Sequence, residues 1–417
     1  MRLQMRLDPK TVTALAVSLH GRQVGVINRI AGDSYIFAFE DDYLDDPQRP
    51  VVSLSFKGQR GSVVAPPRAY PTRLPPFFSN LLPEGPLRGY LAEQAGVKPE
   101  RDFFLLAALG VDLPGAVTVA PFNAHGVVAD LERAAQGTDD AAADTVLRFS
   151  LAGVQLKFSA IANATGGLTI PADGMGGSWI VKLPSTEFPA VPENEFAMLE
   201  LARAIGIDVP LLQLIPIDQI GGIPRGAGRL KGQALCVKRF DRSDDGARIH
   251  MEDFAQVFGL YPDDKYRKRS YANIASVLNG EIGNAGITDF VRRLVFSVLI
   301  GNGDMHLKNW SLIYPDGHTP ALAPAYDLVS TVPYIPDDTL GLTFGRSRSL
   351  TSITRDQMRR FADTAGLAAS PLWKTVRETV ARTVDAWETL GAADVLPGNL
   401  RQQIDVQINA AARGMEH

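Results

Sequence analysis

The chain is expected to fold as an α+β protein of two lobes, with an extra subdomain in front and a mainly helical second lobe. Three observations carry that expectation. Strand-like runs at 178–183 and 234–237 flank a helical pattern at 193–202, which is the make-up of a small mixed lobe. Further on, Phe290, Val291, Leu294, Val295, Val298 and Leu299 recur at helical spacing, with Arg292 and Arg293 off that face, so a buried helix runs into Gly301 and stops. The first 120 or so residues instead hold short strand-like runs and a proline-rich stretch. At 417 residues, with 45% apolar and 21% charged residues, the chain has room for two or three globular domains and a substantial core. The expected division is 1–140, 141–255 and 256–417.

In chain order, Arg2 and Arg6 precede an apolar run at 11–17, which continues through Leu19, a His20-Gly21-Arg22 turn and Val24-Gly25-Val26. That reads as a hairpin rather than a cleavable signal. Strand-like runs follow at 34–39 and 51–56, then prolines from 66 to 86, with Pro86 opening a helix that carries Leu87, Tyr90 and Leu91. Residues 124–145, rich in Ala, Asp and Gly, read as a linker. No stretch of 18 apolar residues appears, so no membrane span is expected and the location is read as cytoplasmic. The single cysteine, Cys236, excludes an intrachain disulfide and sits in an apolar run where packing is its expected role. A formal charge of −4 argues against a chain that grips nucleic acid by itself, so any DNA role runs through a partner.

In Phe149-Ser150-Leu151-Ala152-Gly153-Val154-Gln155-Leu156-Lys157, a glycine among small residues precedes a strand-like run. This fits a loop whose amides approach phosphate, and equally a plain hairpin turn. Lys182, in the next strand, either projects inward toward the α and β phosphates or lies at a solvated edge. Glu195 on the following helix is open in the same way, as the partner of Lys182 or as an exposed charge beside Glu193 and Glu200. Lys238-Arg239-Phe240 reads as the connector between lobes, with backbone positioned to meet adenine.

The chemistry concentrates in Gly301-Asn302-Gly303-Asp304-Met305-His306-Leu307-Lys308-Asn309, followed 23 residues after Asp304 by Asp327. Phosphoryl transfer needs a carboxylate to take or orient the proton of an attacking hydroxyl, and oxygen ligands to hold Mg²⁺ against the nucleotide phosphates. Asp304 is the candidate for the first, and Asn309 and Asp327 for the second; the nine residues taken alone equally fit a structural loop, since Asp and Asn beside glycine are ordinary turn and cap residues. Runs at 310–314 and 321–326 around Pro315-Asp316-Gly317 suggest a hairpin that returns Asp327 toward Asn309. His306 either orients a neighbour or is a loop histidine satisfied by a carbonyl.

Together these segments resemble the HipA-type serine/threonine kinases, the toxin halves of bacterial HipBA toxin–antitoxin pairs, over nearly the whole chain. Residues 77–85 and 106–110 look like the family's amino-terminal subdomain, and 149–157 its nucleotide loop. Residues 181–184 look like its phosphate-binding lysine segment, 248–254 a segment near the lobe junction, and 301–309 with Tyr326-Asp327 its catalytic and metal loops. The resemblance implies a protein-kinase-like fold, with ATP and Mg²⁺ as cofactors. It implies Asp304 as catalytic base, Asn309 and Asp327 as metal ligands, and Ser150 as an autophosphorylation site that switches the enzyme off. Ala152, Gly153, Val154, Lys157, Lys182, Lys238, Phe240, His306 and Lys308 are the nucleotide-side candidates. It further implies a protein substrate such as an aminoacyl-tRNA synthetase, and a HipB-like antitoxin that binds the DNA. One departure is Lys238, at a connector position that is often acidic in relatives, which puts any side-chain contact to the adenine amino group in doubt. Two rival readings remain: a small-molecule kinase of the aminoglycoside type, and a non-catalytic corepressor arm of an antitoxin complex.

Overall fold

The computed structural model describes residues 12–58, 62–63, 68–123, 126–127, 157–162, 168–170, 177–185, 187–223, 230–351 and 353–415. Ser150, Ala152, Gly153 and Val154 lie outside the described residues, as does most of the 124–145 stretch read as a linker.

The front subdomain is an antiparallel sheet in the order β4-β3-β2-β1-β5-β6. Its strands are β1 (Ala14–Leu19), β2 (Arg22–Ile30), β3 (Ser34–Phe39), β4 (Tyr70–Pro71), β5 (Val117–Asn123) and β6 (Gly126–Val127). The β1–β2 turn has both central residues at positive φ, His20 at 50° and Gly21 at 79°, the hand that matches the twist of paired strands. Helices α1 (Asp41–Leu44), α2 (Pro76–Ser79), α3 (Gly85–Ala95) and α4 (Asp102–Leu109) accompany the sheet. Phe77, Phe78, Phe103 and Leu105 join Leu15, Val17 and Leu19 in its core.

The run at 51–56, expected as a strand, contains instead a 3₁₀ turn, Leu54–Phe56. Its polar groups are bonded across to another part of the molecule rather than to a neighbouring strand. The Leu54 amide (2.9 Å) and the Ser53 hydroxyl (2.5 Å) donate to the buried carboxylate of Glu252, and the Val51 amide donates to the Gly317 carbonyl at 2.8 Å.

The next lobe carries a second sheet, ordered β10-β12-β9-β7-β8-β11. Its strands are β7 (Lys157–Ala162), β8 (Leu168–Thr169), β9 (Trp179–Lys182), β10 (Leu212–Pro216), β11 (Ile220–Gly221) and β12 (Gln233–Lys238), with α5 (Val191–Ala204) packed against β10 and β12. Cys236 is fully buried on β12, and burial pushes its thiol up to about 12, so it packs as an inert apolar group.

The last lobe begins with β13 (His250–Asp253), which pairs with β14 (Ser311–Tyr314), itself paired with β15 (Ala321–Leu322). The second arm of the expected hairpin is thus two residues long. Beyond it the chain is held by Ala323 and Ala325, whose amides donate to Ser311 and Asp208. Helices α6 (Phe254–Val257), α7 (Tyr271–Glu281), α8 (Asn284–Leu299), α9 (Arg355–Ala365), α10 (Ala369–Thr389) and α11 (Gly398–Met415) complete the lobe. The expected apolar stripe of α8 is fully buried, packing against α10 in the largest core of the molecule. No helix among the described residues is long and apolar enough to cross a membrane.

Glu252 fastens the front subdomain to this lobe, accepting from Tyr314 (2.5 Å) as well as Ser53 and Leu54. Burial pushes its carboxyl up to about 7. A folded-state value above the unfolded one means that the native state binds more protons between about pH 4.5 and 7, so this group's stabilisation is full below that window and fades as pH rises through it. Neighbouring His250 works in the opposite sense, because burial lowers it to about 4 and its neutral ring favours the fold as pH rises. The two trends overlap, so the difference between proteins is the useful readout. Relative to Glu252→Gln, the wild type is expected to lose on the order of 3 kcal/mol of unfolding free energy between pH 4.5 and 7. Urea titrations at several pH values measure it, and parallel pH profiles would exclude a titrating Glu252.

Candidate active site

The end of α8 leads into the loop that carries Asp304 and Asn309. Gly301 takes φ of +67° in the left-handed position that closes a helix, where a Cβ would lie 2.6 Å from Val332. Thr331 then clamps the turn, its amide donating to the Gly301 carbonyl (2.9 Å) and its hydroxyl accepting the Gly303 amide (2.8 Å). Asn302, fully buried, accepts the Asp304 amide at 3.0 Å and donates to the Asp327 carbonyl at 3.5 Å, so it ties the two aspartate segments together. Asn309 donates through Nδ2 to the Asp304 carbonyl at 2.7 Å, which turns Oδ1 away from that bond.

Tyr326 sets the position of Asp327. Its hydroxyl donates to the Lys308 carbonyl at 2.8 Å and pairs with Ser311 at 2.6 Å, while the Phe240 ring packs tilted against its own at 5.6 Å between centroids. Asp327 itself sits at φ of +53°, a left-handed conformation unusual outside glycine that Asp and Asn tolerate best. Such outliers cluster at functional sites, where the surrounding bonds hold them.

Opposite the loop, the strand register places Lys157 and Lys182 as a direct cross-strand pair on β7 and β9. Like charges in that position repel unless anions are supplied. They are supplied here. Lys182 bonds both Glu195 and Asp327, and Lys157 reaches the two Asp327 oxygens at 2.8 and 3.0 Å. Burial opposes ionisation of Asp327, but the two ammoniums outweigh it and hold its carboxyl well below the usual range. Burial likewise works against the Lys182 charge, and Asp327 with Glu195 outweighs it, raising the ammonium above its ordinary value. Glu195 is raised by its own burial, with Lys182 opposing. Of the two roles open to Glu195 in the sequence, the structure takes the inward one.

Burial pushes the Asp304 carboxyl above its ordinary value, opposed by a hydrogen bond from Tyr266 and the charge of Lys265. A carboxylate tuned upward in this way is better matched to taking a proton near neutral pH.

Other expected nucleotide-side residues point elsewhere. The Lys308 ammonium is surrounded by the Asn80 carbonyl (2.9 Å), Asn80 Oδ1 (3.1 Å), Asp253 (3.2 Å) and Glu84 (3.3 Å). Its donors are thus directed into the front subdomain rather than at phosphate. The His306 imidazole is buried and lowered to about 3 by burial and Lys265, so it is neutral and packs edge-on against Tyr266 at 4.9 Å. Lys238 ends β12 and pairs with Asp244. The amides of Lys238 and Arg239 donate to the Leu211 and Ser178 carbonyls at 2.8 Å each, so neither is open to a base. The connector's strength lies in a buried charge cluster that sequence reading missed. Arg239 and Arg242 both bond Asp112 (3.0 and 2.9 Å) and Asp241 (2.8 Å each).

The donor set fits a magnesium ion bound with nucleotide phosphates. Among the described residues no group of three or more His, Cys, Asp or Glu is placed to hold a metal unaided. An amide oxygen from Asn309 and the ionised carboxylate of Asp327 would supply two hard ligands, and Mg²⁺ characteristically completes its shell with water and phosphate.

Comparison with known proteins places this geometry. Residues 15–120 match the HipA N-terminal domain and residues 149–387 the HipA-like C-terminal domain. The candidate kinase Y4dM of Sinorhizobium fredii is 54% identical over 380 residues, covering 90% of this chain and 92% of that protein. The serine/threonine-protein kinase toxin HipA of Shewanella oneidensis is 29% identical over 325 residues, covering 70% and 71%. The Shewanella oneidensis HipA, HipB and operator DNA complex contains a chain that superposes with a TM-score of 0.72 at 22% identity, covering 96% of this chain and 98% of that one, which establishes a shared fold. With both domain types in order and a relative this similar along nearly its full length, the chain belongs to the HipA family, a family of toxin-like kinases.

Proposed function

We propose that the chain is an ATP- and Mg²⁺-dependent serine/threonine protein kinase acting as the toxin of a HipBA-type pair. The observation that carries this reading is the convergence of Lys157, Lys182, Asn302 and the Asp327 segment beside Asp304 and Asn309. In this reading Lys157 and Lys182 transfer their ammoniums from Asp327 and Glu195 to the nucleotide phosphates, exchanging one anion for another at the same cations. Asn309 and Asp327 hold the Mg²⁺, which when bound neutralises phosphate charge. Asp304 orients and then takes the proton of the acceptor hydroxyl. The acceptor is a hydroxyl on a translation-related protein such as an aminoacyl-tRNA synthetase, and the DNA-binding partner is a HipB-like antitoxin, so the chain meets DNA only through that partner. Its location is cytoplasmic.

Ser150 is the autophosphorylation site in this reading. Phosphate there adds roughly two negative charges near a loop meant for nucleotide phosphate, which turns the enzyme off. Incubating the purified chain with labelled ATP and Mg²⁺ is expected to place phosphate on Ser150, and chelation or Ser150→Ala to remove that label. Mapping the phosphopeptides decides it; absence of label from the wild type under these conditions would sink the reading.

A further inference from the structure

Tyr266 lies between the short turn Pro262–Asp264 and α7, 38 residues before the aspartate that it touches. Its hydroxyl donates to Asp304 Oδ1 at 2.5 Å, and it is the hydrogen-bond donor to that carboxylate among the described residues. Separate segments hold it there. The His306 ring packs edge-on against it at 4.9 Å, the Lys265 ammonium lies 5.6 Å from its ring centroid, and Arg348 donates to its backbone carbonyl at 2.8 Å. The phenol is therefore aimed at the carboxylate by its ring, its neighbour and its main chain. A carboxylate with no donor on either oxygen would be free to rotate, and its burial would favour the protonated form.

We propose that Tyr266 is a positioning residue for phosphoryl transfer: its phenol fixes Asp304 through Oδ1, so that Oδ2 is the oxygen presented to the acceptor hydroxyl. The inference rests on the kinase reading given above. In the step it serves, the acceptor oxygen bonds to the γ-phosphorus of ATP, the bond from that phosphorus to the ADP oxygen breaks, and the acceptor proton passes to Oδ2. Tyr266 keeps its own proton throughout. Burial and the adjacent Asp304 charge push its ionisation well above that of an ordinary tyrosine, so it neither attacks ATP nor competes for the base as a phenolate.

The test separates the hydroxyl from the ring. Tyr266→Phe keeps the packing on His306 and Lys265 and removes only the donor. With ATP and Mg²⁺, this variant is expected to lose about 10-fold or more in labelling rate, as for a hydrogen bond to a charged group, with the KM for ATP little changed. The loss is expected to fall on kcat, because the bond acts on the group that takes the acceptor proton and not on the nucleotide. A Tyr266→Phe protein with wild-type kcat, beside an impaired Tyr266→Ala, would reduce Tyr266 to a packing residue and overturn the proposal. A faster Tyr266→Phe would also overturn it, since the phenol would then be obstructing the acceptor. A second readout is independent of kinase activity. In a double-mutant cycle of Tyr266→Phe and Asp304→Asn read by urea titration, the two effects on unfolding free energy should be non-additive. Additive effects would remove the bond on which the proposal stands, whether or not the chain phosphorylates anything.

Discussion

Asp304→Ala and Asp327→Asn are each expected to lower labelling from ATP by at least about 10²-fold while leaving a folded protein, since losing a positioned base or charge-stabilising group commonly has that effect. The two substitutions are chosen for different physical reasons. Asp304 is a carboxylate whose burial disfavours its charge, so alanine relieves a desolvation penalty and the urea midpoint should hold or rise. Asp327 stands at positive φ between two lysines, where alanine would add backbone strain to the loss of charge. Asparagine tolerates that backbone and removes only the charge, and Lys182 keeps Glu195 as its counter-ion. Circular dichroism and urea titration beside phosphate incorporation separate lost chemistry from lost fold. Equal labelling of wild type and Asp304→Ala would end the kinase reading.

Arg239→Ala should be the most destabilising single change outside the apolar cores, by about 3–5 kcal/mol. Arg239 donates through Nε and Nη2 to the Asp241 carboxylate (2.9 and 2.8 Å) and through Nη1 to Asp112 at 3.0 Å, with side chains no more than 6% exposed. Its removal leaves two buried carboxylates sharing Arg242. Asp241 also accepts the Gly115 amide at 2.8 Å, so the damage reaches the front subdomain. The control is Arg359→Ala, whose partner Asp356 sits at 3.0 Å with both side chains about two-thirds exposed; such pairs contribute about 0–1 kcal/mol. Similar urea midpoints for the two variants would show that the buried cluster does not hold the connector.

What the sequence revealed and what it hid follow one physical division. Local patterns were legible: the apolar stripe of α8, the glycine that ends it, the helix carrying Glu195, and the spacing from Asp304 to Asn309 each show within a few residues. The hairpin before Asp327 was legible too, with a second arm shorter than expected. The misses all depend on partners distant along the chain. Residues 51–56 have strand composition, but their hydrogen bonds go to Glu252 and Gly317, so they turn instead. Lys308 looks like a phosphate ligand beside the catalytic loop until Asn80 and Glu84 are found around it. Lys157 was named through the family resemblance, but its place across from Lys182 comes from strand register, and Tyr266 was missed because only the fold carries it to Asp304.

The bonding of Lys308 bears on how far this protein can be dissected. Asn80 and Glu84 come from the front subdomain and meet an ammonium on the very loop that carries Asp304. A truncated protein starting near residue 149 would strip away those acceptors, leaving Asp253 as the counter-ion beside the newly wetted loop. The two matched segments therefore share bonds at the loop that carries Asp304, and cutting between them would expose a cation that the intact chain neutralises from both sides.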